Sequence, residues 1–406
     1  MPEDLSHANA KNERSAVATA VRDLVEGVYA GEPLRAGGLT LIPLLPTSEQ
    51  VKRRTGYLPL EEALRRGLVT VTEQAQATVP ELIATSTAET PVVLVGGEQV
   101  IGGLQNRVLN TTILVAAHVT QTIPVTCVEA GRWHATRADF TSFDAFDAPV
   151  AMDGADGIAE NIAQGPGSPT PRRARSARAF TSDEAAYAKL RRMHAKSVTA
   201  SLSSGGGYRS DQSAVWNEVA ERMATTGSFS ASSAMDTLYK TPERASRLKE
   251  AMEALKRPEG ALGFLALVGK DVLGAEVFAD ETLADAYWEK LARSYAVEAM
   301  DMSDMSDMGA PGDTKAAEDT EGQSDKAATT DEVRLLTEAL AADIQVHPSP
   351  GLGVDARLVG ERVSGAGLVY DGAVVHLTLF PEDASDGEGQ PPPIQRHYGG
   401  HRSFVV

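Results

Sequence analysis

Gly367-Leu368-Val369-Tyr370-Asp371-Gly372-Ala373-Val374-Val375-His376-Leu377-Thr378-Leu379-Phe380 is the stretch that decides the fold. Two apolar runs flank Asp371-Gly372, and an Asp-Gly pair between apolar strands is the strongest short hairpin signal in a sequence. Working outward, Leu262 to Val268 and Val272 to Phe278 repeat the form around Gly269-Lys270-Asp271. Further toward the N-terminus come short apolar runs at Leu39 to Leu45 (broken by Pro43), Leu68 to Thr72, Glu81 to Ala84, Pro91 to Val95, Thr112 to Ala116 and Thr122 to Val128. Gly96-Gly97 is expected to join Pro91–Val95 to Gln99-Val100-Ile101 as a tight hairpin. The hairpins share no fixed period, so they are not repeats.

Helical spacing occupies the rest. Val17, Val21, Leu24, Val25 and Val28 recur on one face between about Ser15 and Tyr29, after a polar start at residues 1 to 15 expected to fray. Pro59 to Arg66 is a short helix closed by Gly67. Tyr187, Leu190, His194, Val198 and Leu202 stack on one face, with Lys189, Arg192 and Lys196 opposite. Gly205-Gly206-Gly207 ends that helix, and Asp211 caps the next, which turns Val215, Trp216, Val219 and Met223 inward. Ser230 to Tyr239, Glu243 to Leu255 and a helix capped by Thr282 and running to about Met300 follow. The expected fold is α+β: a β-rich N-terminal part with hairpins, a helical middle segment and a C-terminal hairpin completing the sheet.

The expected boundaries are a helical extension at 1–37, a β-rich part at 38–139, a flexible Asp-, Ala-, Gly- and Pro-rich loop at 140–179, and a helical segment with a hairpin at 180–300. An acidic disordered insertion follows at 301–330, with eight acidic residues against two lysines. A closing helix and hairpin at 331–381 and a disordered tail at 382–406 complete the chain.

Composition bounds the function. The chain has 406 residues and a net charge of −18, which argues against wrapping nucleic acid with the whole surface. The single cysteine, Cys127, excludes an intramolecular disulfide and a Cys-rich metal site. Met1-Pro2-Glu3-Asp4 has neither a basic start nor an apolar stretch, so no signal peptide is expected, and no apolar run is long enough to span a bilayer. A cytoplasmic protein with no membrane partner is the expectation.

Four polar clusters compete for a role. Glu98, Gln105-Asn106-Arg107 and Asn110-Thr111-Thr112 follow the Gly-bounded turn, where Arg107 could clamp an anion and the amides could read a polar edge, or all could brace a loop. Cys127, Glu129, Arg132, Trp133 and His134 could hold a nucleophile and a stacking clamp, while Cys127 fits equally as a small buried hydrophobe. Gly205 to Gln212, with Trp216 a turn later, has an anion-binding outline but no phosphate-loop spacing. Arg172, Arg173, Arg175, Arg178, Lys189, Arg191, Arg192 and Lys196 stand against only Asp183 and Glu184, a local basic patch for a polyanion or a solvated helix face. Gly351-Leu352-Gly353 mimics a dinucleotide fingerprint but follows Pro348-Ser349-Pro350 and not a strand. His7, His118, His347 and His376 are isolated and assemble no metal triad, so no cofactor is expected.

The runs Tyr57-Leu58-Pro59-Leu60-Glu61-Glu62-Ala63, Val71-Thr72-Glu73, Val79-Pro80-Glu81-Leu82, Gly96 to Thr112 and Ile123 to Trp133 resemble a bacterial family. It is the domain named for association with ADP-ribosylglycohydrolases and the rhodanese-phosphatase superfamily. Ser210-Asp211-Gln212, Val215-Trp216, Ser294-Tyr295-Ala296 and the closing hairpin look like that family too. The resemblance implies an α+β domain and a link to NAD or ADP-ribose processing, without a mechanism. It singles out Glu98, Gln105, Asn106, Arg107, Asn110, Cys127, Glu129, Arg132, Trp133, Asp211, Gln212 and Trp216 as shared site or shared core.

The leading expectation is a binding protein for an anionic nucleotide-type ligand, with Arg107 and Arg132 as clamps, Gln105 and Asn106 as readers, Trp133 as a stacking surface, and Asn110, Asp211 and Gln212 alongside. A DNA-binding stress or repair accessory using the 172–196 patch is the second. A hydrolase on ADP-ribosylated or nucleotide substrates, with Glu98, Glu129 or Cys127 at its centre, is the third. Homo-oligomerisation stays open.

Overall fold

In the computed structural model, residues 2–53, 55–74, 80–102, 105–130, 140–141, 181–230, 232–309 and 333–382 are described. The Asp371-Gly372 turn forms as expected, with both residues at positive φ (51° and 72°) between the paired strands Val363–Tyr370 and Ala373–Pro381. That hairpin lies inside the largest sheet. Its strand order is Val28–Ala30, Leu39–Pro46, Gly263–Val268, Asp271–Phe278, Ala373–Pro381, Val363–Tyr370, Val354–Val359 and Asp343–Pro348, with Leu34–Ala36 also paired to Leu39–Pro46. Every pairing in this sheet is antiparallel.

Strand alternation gives the sheet two buried faces. On one, Ile42, Leu44, Leu265, Val277 and Leu377 pack against Val17, Val21, Leu24 and Val25 of the Pro2–Glu26 helix and Leu335 and Leu336 of the Arg334–Ala341 helix. On the other, Leu41, Phe264, Ala266 and Phe278 meet Tyr287, Trp288, Leu291 and Tyr295 of the Glu281–Gly309 helix. Phe264 packs edge-on against both Trp288 and Tyr295, with ring centroids 4.9 and 5.7 Å apart.

The β-rich N-terminal part forms two smaller sheets. One joins Ile113–Val115, Val92–Leu94 and Leu58–Pro59; the other runs Phe140–Thr141, Glu98–Gly102, Arg107–Leu109, Thr120–Cys127, Glu81–Ser86 and Val69–Thr72, with Thr181–Ala185 paired to Glu98–Gly102. The Gly96-Gly97 turn therefore closes no hairpin: the strands before and after it belong to different sheets. Gly97 takes φ +86°, and a Cβ on Gly96 would stand 3.2 Å from the Thr111–Thr112 backbone. The glycines turn the chain from one sheet to the other with another backbone segment against them.

Local differences follow from tertiary partners. The first helix begins at Pro2, ahead of the frayed start expected. Helix appears at Thr237–Lys240, while Ala234, within the expected Ser230–Tyr239 helix, bridges Glu129. The long helix is capped by Asp280, whose Oδ1 accepts from the backbone N–H of Thr282 and Leu283, and not by Thr282. Residues 301–309, expected in the acidic insertion, continue that helix, because Asp301 pairs with both Arg222 and Arg244.

Candidate functional site

The Ala188–Ser203 helix is amphipathic, but the inward side of its first turns carries polar residues: Arg191 and His194 are 4% and 3% exposed. Arg191 lies flat across Gly97, where an added Cβ would meet its Nε at 2.9 Å. Its Nη1 stands 2.6 Å from Glu276 Oε1, and its guanidinium sits near the Tyr295 and Phe380 rings. Its Nε and Nη2 are buried without a hydrogen-bond partner.

Glu276, at the centre of the large sheet, is the most heavily bonded carboxylate of the site. Oε1 accepts from the Tyr295 hydroxyl (2.8 Å) and the Thr378 hydroxyl (3.1 Å), and Oε2 lies 2.9 Å from His376 Nε2. Burial alone would raise its pKa, but the Arg191 guanidinium and His376 overcome that and hold it at about 2. Burial lowers His376 below the usual histidine value against the pull of Glu276. On its other side, His376 Nδ1 is 2.9 Å from the Thr112 hydroxyl, which accepts from the Gly96 N–H at 3.1 Å.

A second buried pair stands beside it. Arg357 donates from Nε and Nη2 to the two oxygens of Asp355 (2.6 and 2.8 Å) and from Nη2 to Thr111 Oγ1, which itself donates to Asp355. Asn110 donates to the Tyr208 carbonyl and accepts from Thr126, whose hydroxyl oxygen is 3.2 Å from His194 Nε2. With the Thr126 proton committed to Asn110, His194 Nε2–H is the donor in that last contact. These groups enclose a cavity of about 30 Å³ lined by Gly96, Gly97, Thr112, Arg191, His194 and Arg357, among others. At roughly 10–15 Å³ per water on this measure, it has room for one small oxyanion and not for a nucleoside. A larger groove of about 470 Å³ is lined by Arg334, Glu338, Glu361, Arg362 and Glu382 together with apolar Val272, Leu335 and Pro381. Among the described residues, no group of three or more His, Cys, Asp or Glu side chains is placed to hold a metal ion.

The expected site residues divide. Asn110 lines the cavity, but Arg107 does not. Arg107 is 1% exposed and donates from Nη1 to Gln105 Oε1 (3.2 Å) and Cys127 Sγ (2.7 Å), with Nη2 3.4 Å from Glu73. Gln105 donates to the Glu129 carbonyl, and the Asn106 N–H donates to the Glu129 carboxylate, whose other oxygen accepts from Ser232. Burial pushes the Cys127 thiol up to about 11, although Arg107 opposes it. Gln212 spans the Cys127 backbone, donating to its C=O at 2.7 Å and accepting from its N–H at 2.9 Å. Asp211 caps its helix through the N–H groups of Ser213 and Ala214. Glu98, its pKa raised by burial, accepts from Lys290 Nζ at 2.8 Å and from the Val95 N–H. Arg132, Trp133 and His134 lie outside the described residues.

Of the basic patch, Arg172, Arg173, Arg175 and Arg178 also lie outside them. Arg191 is buried. Lys189 pairs with Glu218, Lys196 with Glu382, and Arg192 donates to the Pro381 carbonyl. Thr111 and Thr112 fell in the first polar cluster, but Arg357, Asp355 and Glu276 were not singled out in sequence. Their signal was a charged or imidazole side chain isolated in an apolar strand, as in Val354-Asp355-Ala356-Arg357-Leu358-Val359 and Gly274-Ala275-Glu276-Val277-Phe278.

The model of the ARG and Rhodanese-Phosphatase-superfamily-associated Protein domain, ARPP-1, matches residues 27–159 and 172–380. The chain belongs to the ARPP-1 family. The match takes in all three sheets and the helix that carries Arg191 and His194, so the cavity is built wholly from ARPP-1 residues. The whole of the N-terminal helix lies ahead of the ARPP-1 match. No curated protein and no solved structure matches the chain. Among the described residues, no helix is long and apolar enough to cross a membrane.

Proposed function

We propose that the protein binds a small anionic group, of the kind carried by nucleotide-type ligands, in the cavity beneath Gly96-Gly97, with Arg191 as its anchor. One observation carries this reading: Arg191 lines the cavity, and its Nε and Nη2 are buried without a hydrogen-bond partner. Leaving charged donors unsatisfied costs several kcal/mol, which a ligand oxygen would offset. The two free N–H groups form a fork suited to two oxygens of a phosphate or carboxylate. The Arg191–Glu276 and Arg357–Asp355 pairs balance formally, so the attraction comes from aimed hydrogen bonds and not from bulk positive charge. The family's association with ARG and rhodanese-phosphatase proteins supports a phosphate-bearing ligand.

Thermal-shift titration with inorganic phosphate, ADP-ribose and NAD tests it. At a hundred times the dissociation constant, binding adds about 2.7 kcal/mol of stability, a shift of several degrees. Ala366→Leu, which fills the cavity without removing a charge, should abolish the shift while the unliganded protein still melts cooperatively; Arg107→Met should keep it. No shift with any anion, or a shift undiminished in Ala366→Leu, refutes the reading.

A further inference from the structure

We infer that Thr112 is a nucleophile, activated by His376 and Glu276, toward small acyl esters. The inference deepens the site proposed above: the anionic group received by the Arg191 fork would be the oxyanion formed during acyl transfer and the carboxylate released by it. The nucleophile itself rests on a separate geometry.

The hydrogen bonds leave one arrangement of protons. Glu276 accepts from Tyr295 and Thr378 and is an ionised acceptor, so the 2.9 Å contact with His376 requires an N–H on Nε2. A neutral imidazole with its proton on Nε2 has a lone pair on Nδ1. The Gly96 N–H already points at Thr112 Oγ1, so the hydroxyl proton goes to Nδ1, 2.9 Å away. A hydroxyl donating to an imidazole whose far nitrogen is held by a carboxylate is the arrangement of an activated nucleophile. Phe278 stacks on the imidazole at 4.4 Å and fixes its plane. Thr112 lines the cavity, while His376 and Glu276, both wholly buried, stand behind it.

In the step this geometry serves, Thr112 Oγ1 forms a bond to the ester carbonyl carbon as its proton passes to His376 Nδ1. The carbonyl electron pair moves onto oxygen, within a cavity lined by Arg191, whose Nε–H and Nη2–H have no hydrogen-bond partner. Collapse breaks the carbon–alkoxy bond, and the departing alkoxide takes the proton from His376. Water then attacks the acyl-threonine by the same relay, giving carboxylic acid and free threonine. The cavity admits only a short acyl group, and the rest of the ester must lie outside it.

The test uses the full chain and p-nitrophenyl acetate. Wild type should release p-nitrophenol and, after acid quenching, carry an acetyl group on the peptide containing Thr112. Thr112→Val should lose both, and Thr112→Ser should keep both. His376→Asn should slow release by about a hundredfold or more and flatten its pH profile. In wild type, release should fall on acidification only below the usual histidine range, since burial and Arg191 depress His376 more than Glu276 sustains it. Release in Thr112→Val equal to wild type, or none in folded wild type, overturns the inference. Anions that stabilise a protein inert to the ester would refute the nucleophile and leave the binding reading standing. Acetylation of Thr112 without any anion shift would do the reverse.

Discussion

His194 contributes to acid stability at the scale of one residue. Burial, reinforced by the nearby Arg357 charge, lowers its pKa to about 3, while the unfolded chain titrates near 6.5. Between those values the unfolded state binds the proton and the folded state does not, so stability falls as pH drops from about 6.5 toward 3, by up to about 1.4 kcal/mol per pH unit. Replacing His194 with Gln should remove one proton's worth of that slope in denaturation midpoints measured from pH 7 to 4; an unchanged slope counts against the buried neutral imidazole. Gly97 is the other residue on which the site turns. At φ +86° an alanine is strained, and its Cβ would strike Arg191. Gly97→Ala should cost at least about 1–2 kcal/mol in urea unfolding and should weaken any anion shift. A neutral effect on both would mean that Arg191 is not held by the turn.

The helix that opens at Gln212 ties the helical middle to the β-rich part through two neighbours with different tasks. Asp211 satisfies two free N–H groups at the helix start, so Asp211→Ala should cost about 1 kcal/mol, read from the urea midpoint. Gln212 clamps the Cys127 backbone at the end of the Thr120–Cys127 strand, and Gln212→Leu leaves a backbone donor and acceptor without it. That loss should cost about 2–3 kcal/mol, more than the cap. If the order of the two is reversed, the clamp is not what holds the helix to the strand. At this scale Asp211 was legible because capping is local chemistry. The Gln212 clamp was not, since its partner lies 85 positions away.

Across the whole molecule, Lys290 on the long helix joins Glu98 on a strand of the β-rich part, and both are buried. Lys290→Met would leave a carboxylate uncompensated and should cost about 3–5 kcal/mol by calorimetry. Adding Glu98→Gln should recover a large part of that, because the isolated charge is gone. A double variant no more stable than the single would show that the pair is not the source of the loss. The same logic explains why local charge in sequence misled at this scale. Arg191 belongs to a run of basic residues, yet it is drawn inside by Glu276, which is 85 residues away. A basic stretch reads as a polyanion patch only while its acceptors are unknown.

What the amino-acid order settled alone was what depends on near neighbours: the Asp371-Gly372 turn, the helical faces, the Asp211 cap and the α+β class, each governed by backbone preferences and side-chain period over a few residues. Tertiary structure alone decided that Gly96-Gly97 passes the chain between sheets and that Asp280 caps the long helix. It also decided that Thr112, Arg191, His194 and Arg357 line one cavity, with Glu276 and His376 behind it. Those outcomes are set by hydrogen-bond acceptors and charges far along the chain, which must be paired once water is excluded, and no local pattern records where such partners will come from.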